Sequence, residues 1–255
     1  MTRNIPKIIH QVWSNIEEPL PEFFKELMKT WKEHHPDWEY ILWDNDKMNG
    51  FIQEFYPEYW IPYNSIKYNI QKWDIIRYFI LYHYGGMYVD VDYECLESLE
   101  QLLKNDKGCY FSPEPAPHVS LSGSKNYFNN ALMISVPQHS FMWLVIESVF
   151  RELAANKTYP NKTFEVLSTT GPIFLTNLYN DYTDISDIYI IPPELVTPLH
   201  PYDVDKYISG NENPSFTAYI QNKLANALAI HYFMRTWLPD ADKRFSYNII
   251  QASGM

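Results

Sequence analysis

The sequence predicts an α/β fold with a mostly parallel central sheet flanked by helices, and three stretches carry that prediction. Residues 5–13 (IPKIIHQVW), 21–34 and 39–43 (EYILW) read in turn as strand, amphipathic helix and strand, the pattern of a parallel βαβ unit. Residues 73–92 run from a helix that is apolar nearly all round, through Gly85-Gly86, into a short apolar strand. A chain of 255 residues, 46% of them hydrophobic, suits one domain with a sizeable core. A single domain over 1–255 is therefore expected, with 5–112 as one half and 113–255 as the other.

The first strand is a β-branched run that opens on Pro6, where a missing N–H is tolerated. Phe23, Phe24, Leu27, Met28 and Trp31 then recur at helical spacing, and Pro36 closes that helix. The second strand stops at Asp44-Asn45-Asp46. Residues 47–63, rich in proline and aromatics, are expected to hold one short helix. Residues 64–84 read as a buried central helix with Ile66, Ile70, Trp73, Ile75, Ile76, Phe79, Ile80 and Leu81 around its circumference. One polar stripe interrupts it: Lys67, Gln71, Asp74 and Arg77. In the strand that follows, Met87, Val89 and Val91 point one way and Tyr88, Asp90 and Asp92 the other. Downstream, a surface helix is expected at 99–104 and strands at 109–112, 130–136, 188–191 and 227–233. Helices are expected at 141–155 and 171–182, a long loop at 113–126, and a tail with a short helix after 235.

The bulk numbers exclude several classes. A net charge of −11 with no compensating basic stripe argues against nucleic acid or an anionic membrane surface as partner. Cys95 and Cys109 have neither metal-ligand spacing nor the density of a disulfide framework, which points to a reducing compartment. No apolar run nears the ~18 residues of a transmembrane segment and no signal peptide is evident, so a cytoplasmic protein is expected. The 17% aromatic content serves stacking and cores equally well.

Candidate chemistry centres on Asp90 and Asp92. Two like charges at one strand end call for a cation between them. Hard carboxylate oxygens suit Mn²⁺ or Mg²⁺ carrying a substrate diphosphate. A pair of solvated aspartates is the bland alternative. Asp74 and Arg77, at i and i+3, read as a structural ion pair or as groups holding sugar hydroxyls and phosphate. Trp13 ends the first strand, where open α/β sheets bind ligands, and reads as a base-stacking or a core residue. His10 reads as a core histidine. His231, at the end of the last apolar strand, is structural unless the two aspartates form a metal site, which it would complete.

These pieces resemble glycosyltransferase family 32, the glycosyltransferases with a DXD sugar-binding region that include initiating α-1,6-mannosyltransferases and capsular-polysaccharide enzymes. The resemblance rests on residues 5–13, on 73–92 (WDIIRYFILYHYGGMYVDVD), and on the shorter NALMI, TGP and HYFMRTW at 130–134, 170–172 and 231–237. The clostridial glucosylating toxins are similar over 73–92. The resemblance implies a GT-A, Rossmann-like fold and a retaining transfer of a hexose from a UDP- or GDP-sugar to a glycan acceptor. It implies a metal held by Asp90, Asp92 and His231, and donor contacts from Trp13, Asp74, Arg77, Asp90, Asn130 and Trp237. Asp90, Asp92 and Arg77 would be the catalytic groups, and 5–112 the nucleotide-sugar half. Thr236 stands where the family usually has Ser and keeps the hydroxyl; Ser140 stands where a Pro is common. The membrane anchor of Golgi members is not seen, so a microbial or viral cytoplasmic form is expected.

Two other classes stay open. A haloacid-dehalogenase-like phosphohydrolase also places Asp-x-Asp at a strand end, but on its first strand and followed by a small residue, whereas Tyr93-Glu94 follows here. A non-catalytic nucleotide-sugar-binding module would share every feature except turnover.

Overall fold

The computed structural model describes residues 4–115, 126–155, 157–210 and 212–238. A six-stranded sheet runs in the order β2 (Glu39–Trp43), β1 (Ile8–Val12), β3 (Gly86–Val89), β6 (Phe128–Ser135), β5 (Cys109–Pro113) and β7 (Ile188–Ile190). The pairs β1–β2, β1–β3 and β5–β7 are parallel; β6 runs antiparallel to both of its neighbours. A separate ribbon pairs β4 (Tyr93–Cys95) antiparallel to β8 (Ala229–His231). The predicted α/β class and mostly parallel sheet hold, and the ribbon is an addition that strand periodicity did not reveal.

The helices are α1 (Glu22–His34), α2 (Asn45–Phe55), α3 (Pro57–Asn64), α4 (Asn69–Tyr84), α5 (Ser140–Ala154), α6 (Lys162–Thr169), α7 (Pro172–Asp181), α8 (Pro193–Val196), α9 (Pro201–Ile208) and α10 (Pro214–Leu224). Where one short helix was expected over 47–63 there are two. The central helix starts at Asn69 rather than at 64, because α3 runs to Asn64 and Tyr68, the residue before the helix, is extended (φ −119°, ψ 135°). Helices α6, α9 and α10 were not anticipated, although each opens on a side-chain cap, from Asn161, His200 and Asn213. Proline stands at the start of α9 and α10, where it lacks only an N–H the helix would leave unpaired. The surface helix after Leu96 is a 3₁₀ turn, Leu99–Asn105. Most of the expected loop at 113–126, and the tail beyond 238, lie outside the described residues.

The sheet is buried on both faces. Tyr88, Phe111 and Met133 pack against α4 and α5, while Ile9, Met87, Val89, Leu132 and Ile134 pack against Trp31 and Trp38. In α4, Ile75, Ile76, Phe79, Ile80 and Leu81 have no exposed surface, as the all-round apolar pattern required. Trimming any one of them to Ala costs roughly 2–5 kcal/mol. The turn from α4 into β3 needs its glycines. Gly85 and Gly86 have φ of +67° and +88°, and a Cβ on Gly86 would sit 2.5 Å from the Ile8 carbonyl oxygen. That approach locks β3 beside β1.

His10, wholly buried, occupies this junction as the core histidine the sequence suggested. Its Nε2–H donates to the Gly85 carbonyl at 3.0 Å, and Nδ1 accepts from the Trp43 indole at 3.2 Å. Burial lowers its pKa to about 4, against the Gly85 bond. The unfolded chain therefore binds the proton first as pH falls. Stability from this group is complete above pH ~6.5 and is lost between there and pH ~4, at most on the order of 3 kcal/mol. Denaturation midpoints across that window should fall with acid, and His10→Gln should flatten the slope; an equally steep slope in the variant would remove His10 as its source.

Candidate active site

Three chain segments meet at one edge of the sheet. Strands β1 and β3 are parallel, so Trp13 and Asp90 leave their C-terminal ends together. Strand β6 runs the other way beside β3, and the Asp90 N–H donates to the Ala131 carbonyl at 2.7 Å, which brings Asn130 to the same edge. Between them opens a cavity of about 240 Å³, lined by Trp13, Asp74, Arg77, Asp90, Asp92, Asn130, His231 and Trp237 among others. All eight residues singled out from the sequence thus line one space.

The carboxylates arrive there by a different route from the one expected. Strand β3 ends at Val89, and residues 90–92 form a turn closed by the Tyr93 N–H on the Asp90 carbonyl at 3.2 Å. The turn lets the chain reverse into β4, where Tyr93 pairs with His231. One ligand-capable atom each from Asp90, Asp92 and His231 lies within 4.8 Å of the other two. Asp92 is held on both oxygens: its Oδ2 accepts from the Met234 N–H at 2.8 Å and its Oδ1 faces His231 Nε2 at 3.4 Å. The His231 ring stacks on Tyr93 with centroids 4.3 Å apart. Burial opposes ionisation of Asp92, but His231 and the Met234 N–H outweigh it and hold the carboxyl below the usual range. Burial likewise opposes a charged His231, and Asp92 carries its pKa above the ordinary value. Asp90 behaves oppositely. Its side chain is 29% exposed to the recess, yet desolvation there raises its pKa, Asp92 adds to the rise, and Arg77 resists it.

Two carboxylates and an imidazole on such a scale fit a small divalent cation with mixed oxygen and nitrogen ligation. His231 Nδ1 is buried without a hydrogen-bond partner among the described residues, so the ring is held by Asp92 at Nε2 and by stacking on Tyr93.

Behind this trio, Arg77 and Asp74 form a buried clamp. Arg77 Nη1 donates to Asp90 Oδ1 at 3.0 Å and to the Asn130 carbonyl at 2.9 Å, its Nε to the Trp73 carbonyl at 3.1 Å, and Nη2 lies 3.2 Å from Asp74 Oδ1. Asp74 also accepts from Asn130 Nδ2 at 2.9 Å and Thr170 Oγ1 at 2.8 Å. Tyr88 lies under the guanidinium and its hydroxyl donates to Asp90. Burial works against the Arg77 charge, but Asp90, Tyr88 and Asp74 raise its pKa above that of a free arginine. Asp74 and Arg77 are therefore an ion pair and also the support on which Asp90 and Asn130 rest.

Trp13 is half-buried, with its ring edge-on to Phe24 at 5.5 Å and its Nε1–H donating to the Glu18 carbonyl at 3.1 Å. Sequence reasoning missed Glu114, Tyr127 and Asn129, which also line the cavity. They flank the aperiodic stretch whose length was the one available signal. Thr170 and Tyr88 were missed as supports because each lies in an otherwise apolar or short motif.

Comparisons with known proteins bear on this site. Residues 21–108 match the family described as "Glycosyltransferase sugar-binding region containing DXD motif", a span that holds Asp74, Arg77, Asp90 and Asp92. Inositol phosphoceramide mannosyltransferase 3 of Schizosaccharomyces pombe is 36% identical over 202 residues, 77% of this chain and 52% of that protein. Mannosyl phosphorylinositol ceramide synthase SUR1 of Saccharomyces cerevisiae is 35% identical over 182 residues, 70% of this chain and 42% of that protein. The chain thus spans about half the length of these relatives. Among solved structures, PaToxG Glycosyltransferase shares the fold, with a TM-score of 0.53 at 15% identity over 97% of this chain and 87% of that one.

Proposed function

We propose that this chain, whose residues 21–108 match the glycosyltransferase sugar-binding region containing a DXD motif, transfers a hexose from a UDP- or GDP-sugar to an acceptor hydroxyl on a glycan, with retention at the anomeric carbon. The observation that carries this reading is the convergence of Asp90, Asp92 and His231, from two separate elements, on a cavity that also exposes Trp13.

In this reading Asp90, Asp92 and His231 hold Mn²⁺ or Mg²⁺. Bound there, the cation supplies neutralisation of the charge that builds on the departing diphosphate. Arg77 fixes the orientation of Asp90 and adds a permanent positive charge behind it. Asn130, braced by Asp74, faces the cavity with the donor sugar, and Trp13 stacks on the base. Trp237 closes the side formed by the segment after β8. If the acceptor attacks from the leaving-group face, retention needs no enzyme nucleophile, and a departing phosphate oxygen can take the acceptor's proton. The relatives named for inositol phosphoceramide suggest mannose as the sugar and an inositol headgroup as another acceptor class. Arg77 and Tyr88 both bonding one oxygen of Asp90 suit a fixed ligand better than the nucleophile of a phosphohydrolase.

Incubation with a panel of nucleotide-sugars should release UDP or GDP in the presence of Mn²⁺ and stop with a chelator. Phosphate release from simple monoesters, with every nucleotide-sugar intact, would overturn the reading. In the same assay Trp13→Ala should raise the donor KM about 10-fold with little change in kcat, since stacking a base is worth ~1–3 kcal/mol. An unchanged KM would return Trp13 to a packing role.

A further inference from the structure

Resting on the nucleotide-sugar reading above, we propose that Glu17 reads the donor's base and selects guanine. The loop after β1 does not run out into solvent. Asn15 adopts φ +54°, and the Trp13 indole N–H holds the Glu18 carbonyl at 3.1 Å, so residues 15–18 fold back along the indole's edge. Glu17 is carried to the rim of the main cavity, where it shares the lining with Trp13 and Asp90. It also borders a small polar recess of about 180 Å³ lined by Asn69, Trp73 and Trp237 together with Lys162 and with Lys67, whose ammonium pairs with Glu165 at 2.9 Å. Its Oε1 accepts from Asn69 Nδ2 at 2.8 Å. Asn69 is the first residue of α4, the helix that carries Asp74 and Arg77, so the carboxylate is tied to the same rigid element as the site.

A carboxylate at the mouth of a pocket that must admit a diphosphate opposes the ligand's charge unless it meets donors of its own. Ionised carboxylate oxygens only accept, and each has a lone pair to spare beyond the Asn69 bond. The Watson–Crick edge of guanine presents two adjacent donors, N1–H and the 2-amino group, which a carboxylate takes bidentately. Uracil offers one N3–H between two carbonyl oxygens, which would repel it. Adenine and cytosine each place a ring acceptor beside a single amino donor. Only guanine matches a carboxylate stationed next to the stacking indole.

Calorimetric titration of the whole chain in Mn²⁺ with GDP, UDP and inosine diphosphate, which lacks the 2-amino group, tests this without relying on turnover. GDP should bind at least about 10-fold more tightly than UDP, with inosine diphosphate between them, as expected for charge-assisted hydrogen bonds. Glu17→Gln should weaken GDP by about 10-fold or more and leave UDP within about 2-fold. Glu17 is exposed, so the variant should keep the wild-type melting temperature. Equal or tighter binding of UDP, or an unchanged GDP-to-UDP ratio in Glu17→Gln, would overturn the base assignment while the transferase reading stands. Failure of all three nucleotides to bind would overturn both.

Discussion

Arg77→Ala is expected to lower stability by about 3–5 kcal/mol, the usual consequence of removing one partner from a buried charge cluster. Arg77 and Asp74 are 5% and 6% exposed, and Asp90 opens only to the cavity. Without the guanidinium, the Asp74 and Asp90 carboxylates lose the cation between them, and the Asn130 and Trp73 carbonyls lose their donor. In a chain of 255 residues the melting temperature should drop by roughly 10 °C. Arg77→Lys should recover little of it, because one ammonium cannot serve Asp90, Asp74 and two carbonyls in the directions a planar guanidinium does. Thermal or urea unfolding reads the effect. A shift below about 2 °C for Arg77→Ala would mean the cluster is solvated and not the brace described.

Asp92→Asn is expected to do the reverse: to spare the fold and remove the activity. Asparagine keeps an acceptor for the Met234 N–H, so unfolding should change by no more than about 1 kcal/mol. It removes one anionic group from the three side chains that could hold a cation. Turnover in Mn²⁺ should fall at least about 100-fold, the scale on which a lost charge-stabilising group acts in a transition state. Binding provides an independent readout. Wild-type protein should gain melting temperature in excess Mn²⁺, by linkage worth ~2.7 kcal/mol at a hundred times Kd, and the variant should gain little. Wild-type-like turnover and Mn²⁺ stabilisation in Asp92→Asn would remove the metal site.

Much of the site was legible because local rules happened to place residues correctly. The all-round apolar pattern of α4 marked it as buried, so Asp74 and Arg77 stood out as charges that had to be paired. Their internal partners, Asn130, Thr170 and Tyr88, were not legible as such, because a side-chain donor leaves no periodic trace. Asp90 and Asp92 were expected to share a face by strand alternation; a turn brings them together instead. That turn sends the chain into β4 and so gives His231 its place.

The sequence alone determined most strands of the main sheet and the long helices α1, α4 and α5, that the α4–β3 junction needs Gly-Gly, and that Asp74 and Arg77 lie inside. These follow from side-chain spacing and backbone sterics within a few residues. Only the tertiary structure decided that Trp13, the Asp90 turn, Asn130 and His231 meet in one cavity, with Arg77 braced beneath. Their convergence depends on β6 lying antiparallel beside β3 and on the β4–β8 ribbon, pairings between segments up to 138 residues apart. Such pairings are selected by the packing of the whole core, and no local stretch encodes them.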